Sequence, residues 1–424
     1  MVDYLRGLPR ELQALLRLAA QLSSRKNVSS YLVGGFVRDL LLGLPNLDLD
    51  IVVEGDGIKF AEGLNVFLKA GLIRHRQFGT ATLVLKSGSK VDITTARKEF
   101  YPEPASLPVV SPGTLREDLF RRDFTINALA IRINSSKKAE LIDFFQGKID
   151  LKKKKVRIMH DLSFIDDPTR ILRAIRFEQR YGFAIEPATL MRLKKAVKAK
   201  MLSKVGQQRL RNELILILKE DRPLKPLKRI KELLGLDFIN PSLSLDNKDF
   251  KFLLSLKKEV AWFEARYGHR RNLDSWLVYF MGIIDSLTSR QVRFTCRKFV
   301  FRKNEEKRIL NYKRLHHKIF SLLRHHAVKP SRIYHALEPL SYEAILTIKA
   351  KYKNKNLKKH IEVFFGLYNG AHILTGGKDL QALGLKPGPL YRKIFDTVLN
   401  ARIDGRIKTR TEELRLIKRI LARQ

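Results

Sequence analysis

Residues 34–50 read GGFVRDLLLGLPNLDLD. An apolar run at 30–33 precedes them and has the character of a short strand. The two glycines break it, and apolar residues resume at helical spacing over 36–42. Residues 47–53 alternate and then become apolar throughout, which suits a central strand. On such a strand Asp48 and Asp50 are two apart, so both side chains leave one face while Leu49 and Ile51 enter the core. Two carboxylates side by side repel unless a cation lies between them. Magnesium takes carboxylate and phosphate oxygens, and two such ions about 4 Å apart can activate an attacking hydroxyl and steady a leaving pyrophosphate. The turn at Gly34 and Gly35 frees N–H groups at a helix start, a cradle for a triphosphate, with Arg38 one turn on and able to reach the same phosphates. Asp92, in the strand pattern at 90–94, would add a third carboxylate as metal ligand or as base for the hydroxyl. Each feature has a plain alternative: a strand–turn–helix junction, the polar face of an exposed strand, an isolated surface acid.

Outward from this stretch, residues 1–155 mix strand and helix signals. An amphipathic helix is predicted over 5–22, and further strands over 80–85, 90–94, 128–133 and 141–143. Beyond about residue 164 the pattern is nearly all helix. Breaks near 240–242, 266–271 and 351–359 mark possible joints. A mixed-sheet head followed by a basic helical body is the economical reading, with several domains expected in 424 residues.

The charge is lopsided. Lys and Arg number 83 against 43 Asp and Glu, a formal net of +40. Such a field favours a polyanion, and nucleic acid fits better than a membrane, because no basic amphipathic anchor or long apolar run is seen. A single cysteine, Cys296, excludes an intrachain disulfide and a cysteine-based zinc site, and a reducing cytoplasm fits. The start, residues 1–6, has no signal-peptide core.

GGxVRD followed by DxD resembles the first motif of the class II tRNA nucleotidyltransferases, the family of CCA-adding enzymes and bacterial poly(A) polymerases. DLFRRDFTINALA at 118–130, LIDFFQGKIDL at 141–151 and DDPTRILRAIRF at 166–177 are similar to its next elements, in order. The set spans about residues 30–215. Most relatives have Glu where this chain has Asp166. The resemblance implies an α+β fold: a small nucleotidyltransferase head (1–155), then an elongated all-α neck (156–225), body (226–330) and tail (331–424). It implies transfer of CMP or AMP from CTP and ATP to the 3′ end of tRNA, gripped by its acceptor and T arms, with two Mg2+ ions held by Asp48 and Asp50.

For the nucleotide it implies contacts from Arg122, with Asp123 and Asn127 in the same element. Physically, Arg121 and Arg122 can hold phosphate or ribose oxygens with Asp123 orienting them. Arg170, Arg173 and Arg176 recur every three residues on one helix face. An Asp accepts from, and an Arg donates to, the Watson–Crick edge of a base. The resemblance gives that reading to Asp167 and Arg170, with Arg173 and Arg176 nearer the triphosphate.

Near the end, LTGGKDLQALGLKPGP (374–389) resembles a segment of a bacterial subgroup. Its glycines 376, 377, 384 and 388 would free backbone N–H groups for phosphates, with Lys378, Lys386 and Arg392 supplying charge for RNA; a helix–turn–helix packing unit is the alternative. His160-Asp161, His316-His317 and His325-His326 are read as structural or surface residues. Two other functions remain open: a poly(A) polymerase, whose basic-aromatic signature is not seen in RHRQFGTATL at 74–83, and a non-catalytic RNA-binding relative. The loop at 98–120, with five residues from Tyr101 to Pro112 that stiffen it, is implied to influence whether CCA, CC or A is added.

Overall fold

The computed structural model describes residues 7–133 and 140–422. The reading of residues 1–6, including the start of the first helix, lies outside them. Two compact units divide the chain, Met1–Gly235 and Leu236–Gln424.

In the first unit, helix α1 (Arg10–Lys26) leads to β1 (Ser29–Val33), α2 (Gly35–Leu41), β2 (Leu49–Glu54) and α3 (Gly57–Leu68). Strands β3 (Gly71–His75), β4 (Thr80–Val84) and β5 (Lys90–Thr95) follow, then the hairpin β6 (Arg97–Phe100) and β7 (Val109–Pro112) and helix α4 (Leu115–Phe120). After β8 (Ala130–Ile133) and β9 (Leu141–Ile142) come α5 (Gly147–Lys152) and β10 (Lys155–Val156). Then α6 (Ser163–Asp166), α7 (Thr169–Tyr181), β11 (Ala184–Ile185), α8 (Pro187–Lys198), α9 (Gln207–Leu218) and α10 (Leu224–Leu234) complete the unit.

Seven strands form one sheet in the order β3-β4-β5-β2-β1-β8-β9. Only β2 and β5 pair parallel; the other neighbours are antiparallel. Central β2 is buried at Leu49, Ile51, Val52 and Val53, as a strand covered on both faces must be. Helices α1 and α3 pack Leu12, Leu15, Leu16, Phe60 and Leu64 out of water.

Several expectations change here. Residues 98–120 contain the β6–β7 hairpin and α4 rather than an extended loop, and α4 starts with a capping box between Thr114 and Glu117. Thr125–Asn127 turns as a 3-10 helix, so β8 begins at Ala130, two residues later than its apolar pattern suggests. A strand also occurs past residue 164: β11 pairs parallel with β10.

The second unit is helical: α11 (Asn247–Tyr267), α12 (Ser275–Ile283), α13 (Ser289–Lys298), α14 (Lys303–Leu323), α15 (Pro330–Leu337), α16 (Tyr342–Lys351), α17 (Lys355–Val363) and a π turn at Phe364–Tyr368. Then α18 (Gly377–Ala382), α19 (Pro389–Ile403) and α20 (Arg410–Leu421) share a small core of Leu380, Ile394, Val398 and Ile417. His316 is not a surface residue: it is 3% exposed and shares a hydrogen bond with the Tyr352 hydroxyl. His325 and His326 are exposed, in the turn after α14 rather than on it. Among the described residues no helix is long and apolar enough to cross a membrane.

Candidate functional site

A cavity of about 810 Å³ opens in the first unit between the sheet's Asp48–Asp50 end, the Arg121–Asn127 turn and helix α7. Gly35, Arg38, Asp48, Asp50, Arg122, Asp123, Asn127, Asp167, Arg170, Arg173 and Arg176 all line it. Charge in its wall is balanced, seven arginines (38, 121, 122, 170, 173, 176, 180) facing seven carboxylates (39, 48, 50, 99, 123, 167, 213). Five of those carboxylates are ion-paired: Asp39 with Arg38, Glu99 with Arg97 and Arg121, Asp123 with Arg173, Asp167 with Arg209, and Glu213 with Arg173 and Arg176. Asp48 and Asp50 have no cationic partner within 4 Å among the described residues. They are the acids this wall leaves for something else.

Asp48 lies one residue before β2, and Asp50 within it; both are exposed, with Leu49 buried between them. Asp50 opens to water and lines the cavity. Desolvation pushes its carboxyl up to about 6, Asp92, Asp48 and Asp118 add to this, and Arg122 opposes it. That is the electrostatic state a cation would relieve. Among the described residues no cluster of three or more His, Cys, Asp or Glu side chains is gathered as a metal site. The hard-oxygen pair fits Mg2+ if substrate and water oxygens fill the remaining positions. Asp92 is in register with Asp50 on the parallel pair, but it lies outside the cavity lining and accepts a 2.6 Å bond from the Thr82 hydroxyl.

Gly34 makes the turn. Its φ of 71° and ψ of −135° fall where side chains are strained, and an added Cβ would stand 2.5 Å from Arg122 Nη1. The expectation that Arg38 reaches toward phosphates is corrected. Its Nε and Nη2 donate to Asp39, its Nη1 to Asn127, and it lies under the Phe177 and Tyr181 rings, 5% exposed. Burial works against the charge on Asp39, but bonds from Arg38, Asn46 and Tyr181 outweigh it and hold the carboxyl below its usual range. Asn46 then accepts from the Asp48 N–H, so this network fixes the loop that carries Asp48 into β2.

A second correction concerns Asp123. It accepts from Asn127 and Arg173, not from the neighbouring arginines. Asp118, fully buried, holds both Arg121 and Arg122. Sequence reasoning missed Asp118, Asn46 and Glu213; the Asp of DLFRR, four residues before Arg122 on a helix, was the one available signal.

On α7, Arg170 donates Nη2 to the Arg121 carbonyl while its Nη1 is buried without a partner. Asp167 Oδ1 accepts from the Thr169 N–H and hydroxyl and pairs with Arg209. Arg173 bridges Asp123 and Glu213. Arg176 lies 3.6 Å from Glu213 and 3.5 Å from Glu220, with its Nε unpartnered. Arg122 Nε is likewise buried and unpartnered. Among the described residues, Arg122, Arg170 and Arg176 of the cavity wall thus each keep a buried guanidinium N–H without an acceptor, and the same three guanidinium groups suit an oxygen-rich anion.

In the second unit Lys378, Lys386 and Arg392 are exposed. The glycine N–H groups are less free than expected: Gly376 donates to Asp379, and Gly384 to the Gln381 carbonyl. His160 stacks on Phe120, and Asp161 pairs with Arg192.

The Poly A polymerase head domain family matches residues 30–157. An A-adding tRNA nucleotidyltransferase of Geobacter sulfurreducens is 39% identical over 420 residues, 98% of this chain and 48% of that protein. The chain thus spans about half the length of that relative. An A-adding tRNA nucleotidyltransferase of Halalkalibacterium halodurans is 29% identical, covering 95% of this chain and 91% of that protein. The structure of a Thermotoga maritima CCA-adding enzyme complexed with tRNA superposes with a TM-score of 0.71 at 32% identity, over 99% of this chain and 97% of that one. With the ordered motifs gathered around one cavity and this likeness running the length of the chain, the protein belongs to the class II tRNA nucleotidyltransferase family, built on the poly(A) polymerase head domain.

Proposed function

We propose that this chain transfers nucleotides from a nucleoside triphosphate to the 3′ end of tRNA in the cytoplasm, and that the terminal adenylate is the addition it makes. The carrying observation is the cavity wall: two carboxylates, Asp48 and Asp50, that no described cation pairs, on the same wall as the arginines 122, 170, 173 and 176. The A-adding relatives and the tRNA-bound neighbour support the substrate.

Asp48 and Asp50 would hold two Mg2+ ions, which would supply Lewis-acid stabilisation of the triphosphate and activation of the hydroxyl. Arg122, steered by Asp118, presents its remaining N–H groups to phosphate oxygens. Arg173 and Arg176 are braced by acids on both sides, so their fork geometry is set before the nucleotide arrives. Asp167 keeps Oδ2 free of partners, and Arg170 keeps Nη1. An acceptor from Asp167 and a donor from Arg170, both lining the cavity, would match adenine N6–H and N1, or cytosine N4–H and N3. Guanine and uracil present the reverse pattern and leave both protein groups unpaired, a costly mismatch in a buried site. No template is required for that choice.

The test is labelled ATP and CTP with magnesium and three tRNAs, ending before CCA, after C and after CC. Single AMP addition to the third alone is the expected result. CMP addition to the first two overturns the A-only assignment, long adenylate tails favour a poly(A) polymerase, and no incorporation by folded protein leaves an RNA-binding relative.

A further inference from the structure

Outside the cavity, the first unit carries an aromatic cluster in which Phe145 packs against the core while Phe120 and Phe144 stay exposed. Phe120 stacks on His160 with ring centroids 5.3 Å apart and 29° between planes, and it leans on Phe145 at 5.8 Å. Phe144 meets Phe145 edge-on at 6.1 Å. Phe120 remains 46% and Phe144 41% exposed, so these rings keep open faces. Arg116 lies over both Phe144 and Phe145, at 5.3 and 5.7 Å, and forms no ion pair with a described residue.

The cluster adjoins the nucleotide cavity through the chain itself. Phe120 precedes Arg121 and Arg122, and His160 is 3.9 Å from Asp166, the neighbour of Asp167. Open aromatic faces beside an unpaired cation are the combination that binds single-stranded nucleic acid, because every base has a π face and every nucleotide a phosphate. A protein partner would bury such rings in a pocket of its own; here the +40 charge and the free Arg116 favour a polyanion.

We infer that Phe120, His160 and Phe144 form a stacking platform for the unpaired bases just upstream of the RNA 3′ terminus, with Arg116 on the adjoining phosphate. This rests on the transferase reading above. The platform holds the strand by base faces and so is indifferent to sequence, while Asp167 and Arg170 choose the incoming nucleotide.

The test uses the full chain, a tRNA ending in CC, and the same RNA with 2-aminopurine at the base before the terminal one. Phe120→Ala and Phe144→Ala should each raise the RNA KM about tenfold, leaving the ATP KM and the kcat at saturating RNA as in wild type. Fluorescence quenching of 2-aminopurine on binding should fall with them. Phe120→Trp should keep both. If Phe120→Ala binds and quenches like wild type while wild type extends tRNA, the platform is wrong and the transferase reading stands. If Phe120→Trp fails as Phe120→Ala does and the ATP KM rises with it, the ring is packing and the platform is likewise wrong. If wild type neither binds nor extends RNA, both readings fall.

Discussion

Gly34 has no room for a side chain. A methyl group would strike Arg122 Nη1 and force a backbone region that only glycine occupies cheaply, at a cost of about 1–3 kcal/mol. Arg122 is the far end of a flexible side chain, so it yields first. Gly34→Ala should therefore fold, lose transfer by at least tenfold, and lower the melting temperature only by a few degrees; a fully active, equally stable variant refutes the close-approach argument. Asp48→Ala and Asp50→Ala should abolish transfer and leave tRNA binding intact, measured by filter binding beside primer extension. Asp50→Asn should also raise thermal stability slightly at pH 8, since it removes a carboxylate whose ionisation the fold resists. For an acid with a raised folded pKa, the cost of folding appears above the unfolded value and is complete above about 6. At this scale DxD and its partners were legible because strand alternation fixes faces. Asp118 was not, because a lone acid in a charged helix looks solvated until its complete burial is known.

Helix α7 shows how much a single element carries. Its apolar side buries Ile171, Leu172, Ile175 and Phe177, and its other side lines the cavity with arginines three apart. That dual use was readable from spacing. What spacing could not show is that α9 brings Glu213, and the turn after it Glu220, against those arginines. Strands β3, β6 and β7 were hidden for a different reason. Most of their residues face water, so no apolar alternation marks them. Arg170→Ala should blur the choice among nucleoside triphosphates more than it weakens RNA binding; unchanged selection in competition assays would sink the base-reading role. In the second unit α14 and α16 bury His316 against Tyr352, and burial, aided by Lys351, His317 and Lys313, pushes its pKa down to about 4. The unfolded imidazole takes a proton near 6.5, which the folded one refuses until about 4. Stability is therefore lost as pH falls through that window, by about 2 kcal/mol between pH 7 and 5. Urea unfolding followed at both values should show the loss in wild type and much less of it in His316→Leu.

For the molecule as a whole, charge is the property that no single residue explains. Within the cavity wall seven arginines meet seven carboxylates, so the excess of 40 positive charges lies elsewhere on the two units. On the proposed function, nucleotide choice would depend on short, directional, mutually braced contacts, and RNA capture on a diffuse field. These two respond differently to salt. Surface contacts to phosphate exchange with counterions, and about five neutralised phosphates imply a loss of roughly a hundredfold in RNA affinity from 50 to 200 mM salt. Buried ion pairs such as Arg173 with Asp123 are screened far less. Titrating potassium chloride in the transfer assay at fixed magnesium should thus raise the RNA KM steeply along a straight line in log–log coordinates. The ATP KM should move by less than a few-fold over the same range. An RNA KM that stays flat would mean that shape and stacking, rather than the positive field, hold the RNA.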